Sequence, residues 1–136
     1  MPIDVKGAAK GAGIGGVSAG VIGVALYFAF AAMGANFRPK DPAAMGGLEV
    51  LPFFQPVVVC LIATAVAIGV VALLSKVTPD KAWTAFLGVA AVVFAGEGYA
   101  PFWAFDDAMT IAALETMHVP ATLGIVGGIW YFGVRR

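Results

Sequence analysis

Charge is what this chain has least of. Of its 136 residues only 12% are Asp, Glu, Lys or Arg, while 61% are hydrophobic. A soluble domain carries about 25% charged residues. So little polar material cannot cover a water-facing surface, and the surface is expected to face lipid. The few charges are also balanced, eight Lys and Arg against eight Asp and Glu. That excludes the one-signed basic field that nucleic acid requires, and no nucleic-acid partner is expected. One cysteine, Cys60, sits in the run VVVCLIATAV. It excludes an intrachain disulfide and any paired-cysteine motif, and the plain reading is a small buried apolar residue. One histidine, His118, excludes a haem held by two histidines of the same chain. No nucleophile–base triad, P-loop or dinucleotide fingerprint is present. Gly11-Ala-Gly-Ile-Gly-Gly16 imitates the last, but no strand precedes it and it opens an apolar run, so it reads as helix packing. No reaction is indicated and no cofactor is required.

Long apolar runs are there instead. A bilayer crossing takes about 20 helical residues. Four runs reach that length, at 13–35, 52–74, 82–105 and 108–134. RPKDP and GGLEVLP separate the first two, SKVTPDK the next two, and Pro101 with Asp106-Asp107 the last two. Only helices and closed barrels satisfy their backbone in lipid, and runs without period-two alternation read as helices. The fold expected is an all-α integral membrane protein, one domain over 1–136. It is a four-helix transmembrane bundle running up-down-up-down. Lys6 and Lys10 before the first run imitate a signal peptide, but the run exceeds an h-region of about 7–15 residues and is expected to be retained.

Lys6, Lys10, Lys76, Lys81, Arg135 and Arg136 would share one side, Arg38 and Lys40 the other. The positive-inside rule then places both termini in the cytoplasm. Phe53, Phe54, Phe102 and Trp103 fit an outer aromatic belt, with Trp83, Trp130 and Tyr131 at the inner interface. The localisation expected is the bacterial cytoplasmic membrane, multi-pass, with lipids as constant partners.

Glycine is abundant, and its spacing matters. Gly16 and Gly20 form a GxxxG in the first span, and Gly124 and Gly128 another in the fourth. In lipid little hydrophobic force draws helices together, so close backbone approach must do it. These glycines read as packing inside the bundle, or as a face for self-association.

Charged groups within a span are expensive and usually face the bundle interior or water. Glu97 would lie about 21 Å above Trp83, and Glu115 and His118 about 12 and 16 Å below Asp107. The two carboxylates then sit at similar depth on consecutive helices. Gly96 and Gly98 flank Glu97 and would let a helix or ligand come close. Pro101 frees the carbonyl of Glu97, and Pro120 that of Thr116. Three readings follow. Glu97, Glu115 and His118 form a neutral hydrogen-bonded network with one carboxylate protonated. Or the Glu115-x-x-His118 spacing, with Glu97, supplies half of a di-metal bundle that a two-fold dimer completes. Or Glu97 reaches the outer interface. Gln55, Tyr27 and Tyr99 would join the three in a small cavity open to the outside. Asp106 and Asp107 read as the end of one helix and the cap of the next.

The outward loop after span one, the Ala- and Val-rich second span and the inner loop ending Lys81-Ala82-Trp83 form a layout with Met117-His118 and the following LGIVGGI. From about residue 15 onward this layout resembles a bacterial family of small four-span membrane proteins classed as a domain of unknown function. In that family the outer half of span three is generally apolar or small, and Glu97 and Pro101 depart from it. The resemblance implies fold and topology and no activity. The function expected is a non-catalytic membrane subunit or assembly partner, in a homo-oligomer or larger membrane complex. The alternative is a binding or transport module for a small ligand, lipid, quinone or proton.

Overall fold

The structure is a computed structural model that describes residues 1–135. Arg136, counted above among the inner-side cations, lies outside the described residues. Four long helices account for most of the chain: α1 (Val5–Ala32), α2 (Gln55–Val77), α3 (Ala82–Ala104) and α4 (Ala108–Ile129). All four are long and apolar enough to cross a membrane. Among the described residues there is no strand, only an isolated bridge between Pro39 and Phe105. The chain is a multi-pass, all-helical membrane protein.

The helix ends follow local chemistry. α1 begins at Val5, not near residue 13, because Asp4 caps it by accepting from the backbone N–H groups of Lys6 (3.3 Å) and Gly7 (3.1 Å). Lys6 and Lys10 are thus exposed residues of the helix itself, where long stems carry the ammonium toward polar surroundings. Lys10 lies over the Phe132 ring at 5.2 Å. α2 starts with Gln55-Pro56, and proline is tolerated there because first-turn N–H groups have no helical partner. α3 and α4 run on through Pro101 and Pro120.

Packing is uneven. α1 presents two glycine faces one residue out of step. Gly7, Gly11 and Gly15 meet α4 and its continuation: a β-carbon at each would strike the backbone carbonyl of Phe132, Gly128 and Gly124 respectively. The order reverses along the pair, so α1 and α4 run antiparallel. Gly16, Gly20 and Gly23 meet α2, against the Thr64 hydroxyl, Val57 and Pro56. The two GxxxG segments therefore serve contacts within the chain, but not with one another. Gly124 and Gly128 face Gly15 and Gly11, while Gly16 and Gly20 are turned toward α2. By contrast α3 is loosely attached, and its apolar window is only 11% buried.

The connections divide into two ends. At one, the Met1 amino group donates to the Asp80 carbonyl (2.6 Å) and the Asp4 N–H to the Gly133 carbonyl (2.8 Å). At the other, the 33–54 segment is tied to the α3–α4 turn. The Lys40 N–H donates to the Ala104 carbonyl (2.8 Å), and its ammonium pairs with Asp106 at 3.2 Å. Asp107 caps α4, accepting from the Thr110 N–H (3.0 Å), the Thr110 hydroxyl (2.6 Å) and the Asn36 N–H (3.2 Å). The Thr110 oxygen accepts in turn from the Phe37 N–H at 2.9 Å. Phe37 adopts φ +52°, costly for an aromatic residue, and is held there by that bond and by stacking on Tyr27 with ring centroids 4.1 Å apart.

Two buried clusters result. One gathers Ala8, Val71, Phe86 and Ile129, the other Phe37, Leu51, Phe105 and Met117. Between them lie the middle of α4, from His118 to Gly124, and the part of α3 around Glu97.

Candidate functional site

Two cavities occupy that middle zone, of about 390 and 360 Å³. The first lies among α2, α3 and α4. Its rim includes Ile62 and Val66 of α2 and Val93 of α3, all at least half exposed, so it opens sideways between α2 and α3. The second lies toward the 33–54 segment, and Phe37, Leu51 and Phe105 line its end. Val59, Cys60, Glu97, His118 and Ala121 line both cavities and form the waist between them. Such volumes suit small ligands, whose pockets span about 300–1,000 Å³ and are mostly apolar with few polar groups. Neither lining contains Lys or Arg.

Glu97 and His118 therefore do converge, on facing helices at the waist. Tyr27 and Gln55 join them in the second cavity, where the Tyr27 hydroxyl donates to the Leu51 carbonyl at 2.6 Å. Glu115 and Tyr99 line neither cavity. Glu115 projects toward α3 instead, with Oε2 3.6 Å from where a β-carbon of Gly98 would stand. Three residues turn a helix by about 300°, so Glu115 and His118 point about 60° apart. One meets the α3 backbone and the other the cavities. Tyr99 is 64% exposed.

The expected network is not formed. None of the hydrogen bonds or ion pairs among the described residues joins His118 to Glu97 or Glu115. His118 Nδ1 and Glu115 Oε1 are buried without a partner. An unsatisfied buried polar group costs about 1–3 kcal/mol, so both are expensive where they stand. Nor does a single chain assemble a metal cluster by itself. Among the described residues no three His, Cys, Asp or Glu side chains gather closely enough to hold a metal ion, because Glu115 is turned away from the waist that Glu97 and His118 share.

The glycines beside Glu97 have no steric task. A β-carbon at Gly96 would meet nothing within 4 Å, and at Gly98 only the Glu115 oxygen at an ordinary contact distance. Sequence reasoning missed the first cavity and the place of Cys60 at the waist. The one available signal was the contrast between glycine-rich α1 and α3, whose glycines Gly88 and Gly96 pack on nothing.

Residues 4–136 match the model of a family of unknown function, DUF6069. The chain belongs to that family. The match covers nearly its whole length, so the four helices, the glycine contacts and both cavities all fall within the DUF6069 region. No curated protein and no solved structure matches the chain.

Proposed function

We propose that this DUF6069 member is a small-ligand binding module of the bacterial cytoplasmic membrane, using the waist where Glu97 and His118 meet. The observation that carries the reading is one carboxylate and one imidazole on the shared wall of two apolar cavities whose linings hold no Lys or Arg. A carboxylate in an apolar cavity with no cation beside it is costly to keep, and a ligand that pairs with it offsets that cost. The bundle runs up-down-up-down with both termini cytoplasmic. Supporting this are Lys6, Lys10, Lys76, Lys81 and Arg135 against Arg38 and Lys40, and the bonds that gather the termini and the 78–81 turn at one end. Native mass spectrometry of protein taken into nanodiscs from its own membrane tests the reading. A bound non-protein mass is expected, and it should be absent in Ala121→Trp, which fills the waist. A ligand-free wild type, or a mass unchanged by Ala121→Trp, refutes it.

A subunit role, in a homo-oligomer or a larger membrane complex, is the second reading. The exposed apolar face of α3 favours it, with Val92 73% and Trp103 71% exposed. The glycine faces no longer argue for it, since they are already engaged within the chain. Size in mild detergent decides: a strict monomer with no co-purifying protein removes this reading.

A further inference from the structure

The waist limits what its ligand can be. Glu97 is the only acidic residue on either lining, and no Lys or Arg accompanies it. A head bearing phosphate, sulfate or carboxylate would meet a carboxylate with no compensating cation, so anionic heads are disfavoured. A head with acceptors only would leave the carboxylate oxygens unmatched. A cationic head matches on both counts: it donates hydrogen bonds and neutralises the charge. The remainder of each lining is almost wholly apolar and calls for a hydrocarbon tail. The first cavity opens between Ile62 and Val66 of α2 and Val93 of α3, side chains that face the surroundings of the bundle. In a bilayer that opening gives onto acyl chains, so the ligand enters from the membrane and not from water.

We propose that the ligand is a lipophilic amine: an ammonium head seated at the waist against Glu97, on the wall that His118 shares, with its apolar tail in the laterally open cavity. This rests on the binding-module reading above and specifies its ligand class. Of the titratable side chains on the two linings, α1 places Tyr27 there, α2 Cys60, α3 Glu97 and α4 His118, and no Lys or Arg joins them.

The test is saturable binding of tritiated dodecylamine to the full chain in nanodiscs, with empty nanodiscs as background. Unlabelled dodecanol and dodecanoate compete as the neutral and anionic heads on the same tail. The expected result is saturable amine binding that dodecanol and dodecanoate displace at least about tenfold more weakly, because a hydrogen bond to a charged partner discriminates by that order. Glu97→Gln should erase the difference between amine and alcohol while keeping the helical circular-dichroism spectrum. If all three compounds compete equally, or Glu97→Gln leaves the preference intact, the cationic assignment is overturned. If that equal binding is still abolished by Ala121→Trp, the binding-module reading survives. If no compound binds saturably, the amine assignment falls, and the binding-module reading stands or falls with the bound mass seen in native mass spectrometry.

Discussion

Gly11→Ala and Gly13→Ala make the same chemical change two residues apart on α1, and the structure assigns them opposite outcomes. At Gly11 the new β-carbon falls on the Gly128 carbonyl, with the Phe132 ring 3.1 Å away. At Gly13 it meets nothing within 4 Å. Both variants share any gain from replacing a helical glycine, about 0.5–1 kcal/mol. Only Gly11→Ala carries an over-packing penalty, usually about 1–3 kcal/mol. Here the obstacle is backbone, which no rotamer change can move, so the upper end applies and the two variants should differ by about 3 kcal/mol. That is more than about a hundredfold in the folding equilibrium. To relieve the clash α1 must back away from α4, which also loosens the neighbouring contacts at Gly7 and Gly15. Gly128→Ala collides with the Gly11 carbonyl from the other side and should lose a similar amount. The double variant should lose less than the sum, since one separation relieves both clashes. Reversible unfolding in mixed micelles, followed by circular dichroism, measures all four. If Gly11→Ala is as stable as Gly13→Ala, the two helices are not in backbone contact and the packing account is wrong.

The remaining predictions concern the α4 cap and the surroundings of Glu97. The Thr110 hydroxyl, with help from the Asn36 N–H, holds the Asp107 carboxyl below its ordinary 3.8. A depressed folded value means the cap's contribution is complete above that ordinary value and is lost as pH falls through the lower folded one. Thermal stability should therefore drop below about pH 4, and in Asp107→Asn this part of the pH dependence should vanish; an unchanged acid limb would contradict the cap. Thr110→Val removes a fully buried hydroxyl that donates to Asp107 and accepts from Phe37, and should cost about 1–3 kcal/mol in the same unfolding assay. Gly98→Ala should be within about 1 kcal/mol of wild type, because its β-carbon finds only an ordinary contact; a large loss would mean that α3 and α4 approach more closely than described.

Much of this fold is written in composition. Long apolar runs broken by RPKDP and SKVTPDK can be little else than spans, and the helix bounds differ from expectation mainly where charges sit within a helix. Lys6 and Lys10 looked like flanks, yet a capped helix holds them because Asp4 supplies the N-cap upstream. Asp107 was legible as a cap because the residue type and the break coincided. The site was legible only in part. Glu97 and His118 stood out by their cost, but their partners depend on helix rotation, which a sequence with glycine on several faces does not specify. Glu115 and His118 stand about 60° apart on α4, and the rotation of α4 against α3 turns one to the α3 backbone and the other to the waist. The GxxxG segments show the same limit: spacing told which residues permit close approach, not which helix approaches.

The uneven packing explains why the costly residues sit where they do. α1 gives close backbone contact to both α2 and α4, and these three make the tight part of the bundle. α3 offers its neighbours no such glycine contact. It is held near its ends by side chains, with Phe86 in one buried cluster and Phe105, just past its last residue, in the other. Two helices separated by side chains and not joined backbone to backbone leave room between them, and the cavities occupy that room. Glu97 lies on the loosely packed helix and His118 on a tightly packed one, so any molecule that engages both bridges the two parts of the bundle. A carboxylate placed on α1 or buried against α4 would have been crowded by backbone and closed to ligand. On α3, between two anchoring clusters, it lies on the wall of a cavity that opens sideways between α2 and α3. That position explains how a membrane chain with so few charges keeps one where it is most expensive.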